Sequence, residues 1–146
     1  MLITICMSMS LRHRLPEICR VLEDAGHEVL TPVDTREFNY ESANDHERAE
    51  LKRDKDLIRT HYEKIKISDA ILVLNEDLPD RPNYIGGNSF LEMGFAHVLD
   101  IPIYLMQDVP DSNYRSEMLA MDPIVIDGDL RRIPADLSTE HAAVVG

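Results

Sequence analysis

Short apolar runs set between longer amphipathic stretches constrain what this chain can fold into more than any other feature. Residues 2–6, 28–30, 70–74, 101–105 and 124–126 read as strands, each too short for a buried helix. Helical spacing marks residues 16–24, 45–65, 89–99 and 112–121. Strand and helix alternate, which predicts a parallel sheet with helices on both faces. Gly26 suits the end of the first helix. Pro16 fits only a first turn, so that helix either starts near residues 13–15 or is kinked. No repeat or linker divides the 146 residues, which read as a single domain with residues 131–146 as a loose tail.

Composition narrows the function classes. The net charge is −12, from 27 acidic against 15 basic residues. Such a surface repels a polyanion, so no nucleic acid polymer is expected as a partner. A small phosphate could still bind locally at a helix N-terminus. No apolar run has the length of a membrane span and no signal-peptide pattern opens the chain, so a cytoplasmic protein without a membrane partner is expected. Cys6 and Cys19 fall in an expected strand and helix, which suits reduced, buried thiols. Histidines 46 and 97 have no companions at ligand spacing, so neither a metal nor a cofactor is expected.

The segment Gly86-Gly87-Asn88-Ser89-Phe90-Leu91-Glu92 turns from a glycine-bearing loop into a helix between two buried strands. Open α/β sheets hold their ligands at such junctions. Backbone N–H groups and the helix dipole there favour an ionised carboxylate, making Glu92 a candidate nucleophile. Ser89-x-x-Glu92 is equally a capping box, in which the glutamate only reaches back to an amide.

The order Ser68-Asp69-Ala70-Ile71-Leu72-Val73-Leu74-Asn75, a loop, then Leu91-Glu92-Met93-Gly94-Phe95-Ala96 resembles the nucleoside 2-deoxyribosyltransferase family, which includes nucleoside 5'-monophosphate N-glycosidases. The resemblance runs from the first strand to about residue 130 and is densest over residues 68–106. It implies a flavodoxin-like three-layer sandwich with a five-stranded parallel sheet of order 2-1-3-4-5. It implies cleavage or transfer at an N-glycosidic bond, with Glu92 attacking the anomeric carbon to give a glycosyl-enzyme intermediate. Asp69 would then face the sugar or base, either orienting a hydroxyl or protonating the departing base. Ser8, Ser10, Asn75, Gly86, Gly87 and Asn88 are candidate substrate contacts. Ser116 would reach a neighbouring subunit's site in a homo-oligomer, most simply a dimer, with Met118, Leu119 and Met121 beside it supplying apolar contact.

Each of these residues also has a plain reading. Asp69 and Asn75 suit turns, and one serine of the 8–10 loop suits a helix cap. His61, beside the apolar stripe of its helix, reads as a core histidine. The chain departs from the family at Met7, where glycine is usual, and in lacking a first-strand tyrosine. Those departures keep a non-catalytic nucleotide-binding module open. Cys6-x5-Arg12, with Asp122-Pro123 far downstream, also resembles low-molecular-weight tyrosine phosphatases, although the intervening loop has no glycine. The loop over residues 77–87 is expected to cover the site.

Overall fold

The computed structural model describes residues 1–33, 42–54 and 56–137. Strands β1 (Leu2–Cys6), β2 (Glu28–Leu30), β3 (Ala70–Val73), β4 (Ile103–Leu105) and β5 (Ile124–Val125) form one sheet of order β2-β1-β3-β4-β5. Every pairing is parallel, with Cys6 opposite Val73 and Val73 opposite Leu105. This is the flavodoxin-like sheet expected from the sequence. Strands β1 and β2 keep their expected limits, whereas β3, β4 and β5 are each shorter than expected.

The helices are α1 (Leu15–Asp24), α2 (Asp45–Asp54), α3 (Leu57–Lys66), α4 (Gly87–Val98) and α5 (Arg115–Ala120). A 3-10 turn over Met9–Arg14 precedes α1, which starts at Leu15 with Pro16 in its first turn. The expected helix over residues 45–65 is two helices. Asp56 interrupts it in the left-handed region at φ 47°, and α2 buries no residue that would hold it in line with α3. Helix α5 is shorter than expected, because Ser112 Oγ accepts from Tyr114 N–H in a turn ahead of it. Residues 34–41 of the expected loop and 138–146 of the expected tail lie outside the described residues. Among the described residues, no helix is long and apolar enough to cross a membrane.

Strand periodicity decides what each helix meets. Ile3 and Ile5 of β1 join Ala70 and Leu72 of β3 on one face, packed against Ile18 and Leu22 of α1. Cys6, Ile71 and Val73 point to the other face, with Ile65 of α3, Met93 and Ala96 of α4, and Met118 of α5. Full burial of each large aliphatic side chain contributes about 1.5–3 kcal/mol before chain entropy is charged against it. Met118 is therefore core, which removes it from the expected intersubunit contact, while Leu119 stays exposed.

Candidate active site

The strands end together, and their C-terminal ends open into a cavity of about 510 Å³. Small-molecule sites typically hold roughly 300–1,000 Å³. Ser8 and Ser10 line it from the loop after β1, Gly86, Gly87, Asn88 and Ser89 from the start of α4, and Leu78, Arg81 and Tyr84 from the loop after β3. Helix α3 adds His61, and α4 adds Glu92 and Phe95. Six expected contacts or candidates thus converge: Ser8, Ser10, Gly86, Gly87, Asn88 and Glu92.

Glu92 is not a capping residue. Helix α4 begins at Gly87 with Gly86 as its N-cap, and no acidic residue lies in its first turn. Ser89 is inside the helix and buried, so the expected capping box is absent. The carboxylate sits one turn further on, with 14% of its side chain exposed. The N-cap stands three residues before Ser89, at Gly86, which shifts Glu92 out of the first turn. A Cβ on Gly86 would come within 3.1 Å of Tyr84 Oη, a tight contact that the tyrosine ring would have to shift by a few tenths of an ångström to relieve.

Two neighbours of Glu92 were not expected. Strand parity turns Cys6 towards α3 and α4, and its sulfur lies within 4.8 Å of a Glu92 carboxylate oxygen. Burial first, and then the charge and proximity of Glu92, push the Cys6 thiol well above its usual range. His61 lies one turn before Ile65 on the buried face of α3, and its Nδ1 stands 3.0 Å from Glu92 Oε1. The approach lacks hydrogen-bond geometry, so neither ring nitrogen has a hydrogen-bond partner, and neither has Glu92 Oε2. A buried polar group left this way costs about 1–3 kcal/mol. His61 is a buried histidine but not a satisfied one, which corrects its reading as a core residue. Lys64, one turn further along α3, donates to Thr31 O at 2.7 Å. Burial lowers its pKa, and the Glu92 charge partly offsets that.

Asp69 does not join this group. It precedes β3, at the opposite edge of the sheet, where its Oδ2 accepts from Leu2 N–H at 2.8 Å. At about 3.3 Å per strand residue it stands roughly 13 Å from the far end of its own strand. The expectation that it faces sugar or base is therefore corrected: it fastens β1 to β3. Asn75 is at the right edge but fully buried, and its amide donates to Gln107 O and Asp108 O and accepts from Gln107 N–H. Those bonds occupy it in joining two loops, so it is no ligand contact. Ser116 is exposed on α5, donates to Glu117 Oε2 and does not line the cavity.

The loop after β3 is tied down. Leu78 and Arg81 bridge, Asp77 Oδ1 accepts from Asn83 N–H, and Arg14 grips both oxygens of Glu76 at 2.6 and 3.0 Å. The phosphatase arrangement does not form. Cys6 is inaccessible with a raised pKa, the opposite of a reactive thiolate, and the exposed Arg12 donates to Met9 O. Asp122 lies just before β5, at the far edge of the sheet.

A 2-deoxyribosyltransferase from the psychrotolerant bacterium Bacillus psychrosaccharolyticus superposes with a TM-score of 0.56 at 16% identity, over 93% of this chain and 98% of that one. The likeness establishes the fold. A CMP N-glycosidase of Clostridium botulinum, BcmB, is similar with a TM-score of 0.49 at 15% identity, over 86% of this chain and 85% of that one. No protein-family model matches the sequence, and no curated protein matches it.

Proposed function

We propose that this chain is an enzyme of the nucleoside 2-deoxyribosyltransferase type, cleaving or transferring at the N-glycosidic bond of a nucleoside 5'-monophosphate or nucleoside. The observation that carries the reading is the Glu92 carboxylate in the wall of the cavity, mostly buried, with one oxygen free of hydrogen bonds. The shared fold with a 2-deoxyribosyltransferase supports it. Glu92 attacks the anomeric carbon as the bond to the base breaks, forming a glycosyl ester with inverted configuration. Water or a second base then displaces the carboxylate with a second inversion, so configuration is retained overall. The leaving base takes up a proton. His61, which lines the cavity beside Glu92, is the imidazole there that can hand it over.

Cavity charge favours the monophosphate. Among the described residues, Arg48, Lys52 and Arg81 line it together with the one carboxylate of Glu92, in a chain of net charge −12. Serines 8 and 10 and the amides at the start of α4 add donors to the same wall. Tyr84, Phe95 and Leu78 give apolar surface for a base. The reading includes a homo-oligomer in which the exposed Ser116 completes the cavity of a neighbouring copy, so mixing Glu92→Gln with Ser116→Ala restores part of the activity. The deciding experiment is incubation with nucleoside monophosphates and nucleosides, with free base followed by chromatography. Base release that Glu92→Gln abolishes supports the reading. Tight binding without release makes the chain a nucleotide-binding module.

A further inference from the structure

The three side chains that meet at Glu92 come from three different elements, and no step of glycosyl transfer requires a thiol. The Cys6 sulfur, a His61 ring nitrogen and a Glu92 oxygen all lie within 4.8 Å of one another. Zinc binds thiolate at about 2.3 Å and imidazole or carboxylate at about 2.0–2.2 Å, so tetrahedral ligand atoms stand about 3.4–3.8 Å apart. Rotamer adjustments of about an ångström bring this group to that spacing. We propose that Cys6, His61 and Glu92 form a site for one zinc-class divalent cation, and that filling it withdraws the Glu92 carboxylate from attack.

Four observations carry the site. The donor set is one sulfur, one nitrogen and one oxygen, which suits zinc and not the all-oxygen shells of calcium or magnesium. His61 is more than nine-tenths buried with neither ring nitrogen hydrogen-bonded, and Glu92 Oε2 is buried and equally unpartnered. Their unmet valences face the same small volume. The charges also balance: a thiolate and a carboxylate neutralise a dication, whereas without one Cys6 stays a protonated thiol beside the Glu92 charge. On binding, the Cys6 thiol releases its proton to solvent as the sulfur–metal bond forms, so no oxidant or other reactant is needed. Finally, Glu92 and His61 border the cavity, which leaves a fourth position on that side for water or a substrate atom. Cys6 is buried behind them, which shields its sulfur from oxidants while leaving the cavity as the route for a cation.

The binding half stands on geometry alone; the silencing half rests on the proposed role of Glu92. Cobalt(II) tests the first. Added to full-length protein freed of metal by a chelator, it should bind at one equivalent and give a thiolate-to-cobalt absorption band that zinc displaces. The band should persist in Cys19→Ser, where Cys6 is the sole remaining sulfur donor of the cysteine type. It should vanish in Cys6→Ser. Affinity in His61→Ala should fall by more than the roughly 10- to 100-fold that loss of an outer-shell partner costs. Absence of the band in the parent, or its loss in Cys19→Ser alone, overturns the site. These two outcomes decide the matter even where Cys6→Ser fails to fold. Base release from a nucleoside monophosphate, measured in chelator and then with one equivalent of zinc, tests the second half. Loss of turnover that tracks occupancy supports it; unchanged turnover at full occupancy overturns it. A chain that releases no base even in chelator sinks the Glu92 reading and the silencing with it, while the cobalt band still judges the site.

Discussion

At the N-terminal edge of the sheet, Asp69 accepts from Leu2 N–H, the Thr4 and Ser68 hydroxyls share a hydrogen bond of 2.7 Å, and Ser68 donates to Lys64 O. At the C-terminal edge, His61 and one oxygen of Glu92 are buried with no such partners. Both edges carry buried polar groups, yet only one leaves them unspent. Satisfied polar groups rigidify a fold, and unsatisfied ones cost stability unless something else arrives to meet them. The contrast therefore separates residues that hold the sheet from residues positioned for a ligand, even though Asp69 and Glu92 look alike in a sequence.

The largest test of that contrast is to swap amides for carboxylates at the two edges. Glu92→Gln should reduce base release by roughly a thousandfold or more, as loss of a nucleophile does, with the melting temperature little changed. Asp69→Asn should do the reverse, keeping activity per folded molecule while weakening the bond to Leu2 N–H. A hydrogen bond to a charged group contributes about 1.5–3 kcal/mol, and denaturant titration would read that loss. If Asp69→Asn silenced the enzyme without unfolding it, the division between the edges would fail.

Asn75 sharpens the comparison from within the active edge. It stands at the end of β3 near the cavity, but its amide is engaged by the 107–108 backbone. Asn75→Ala should destabilise by about 1–3 kcal/mol, from buried backbone groups left unpaired, with KM for substrate unchanged at temperatures where the protein is folded. A raised KM with unaltered stability would return Asn75 to the ligand contacts.

A smaller effect is expected at the basic rim. Arg81→Ala or Lys52→Ala should raise KM for a nucleoside monophosphate about tenfold, the equivalent of about 1.4 kcal/mol, and leave nucleosides nearly unaffected. Equal losses on both substrates would mean that these cations shape the cavity and do not meet a phosphate. Arg81 also lies over the Tyr84 ring at 5.4 Å, so Arg81→Lys separates charge from stacking.

The sheet was legible because apolar runs and helical spacing fix element type and order, and β1 and β2 fall at their expected limits. The helix break at Asp56 was not, since an aspartate in left-handed conformation leaves no mark in hydropathy. The same holds for the N-cap at Gly86, which shifts Glu92 out of the first turn of α4. Cys6 and His61 are buried as expected, but their approach to Glu92 was not foreseen. Strand parity places Cys6 opposite Ile5 and beside α3, and the i to i+4 step from His61 to Ile65 puts both on one buried face. What the sequence lacks is the depth at which two helices meet a strand end, and that depth decides whether a buried histidine is satisfied.

The smallest effect belongs to the N-terminal edge and concerns pH. His27 is buried there, with Nδ1 2.9 Å from the Met1 amine. Burial first, and then the positive charge of that amine, lower its pKa below the ordinary histidine value. The fold thus favours the neutral ring. Above the ordinary value of about 6.5 neither state binds the proton, and the native preference for a neutral ring is fully present. As pH falls through that value the unfolded chain takes up a proton that the native protein does not, so stability declines until the folded ring also titrates. Chemical denaturation followed between neutral and mildly acidic pH should show that decline, and His27→Gln should flatten it. The same variant should leave base release unchanged, because His27 does not line the cavity. A parallel shift in the pH profile of activity would connect the two ends of the sheet and undo the separation argued from their hydrogen bonds.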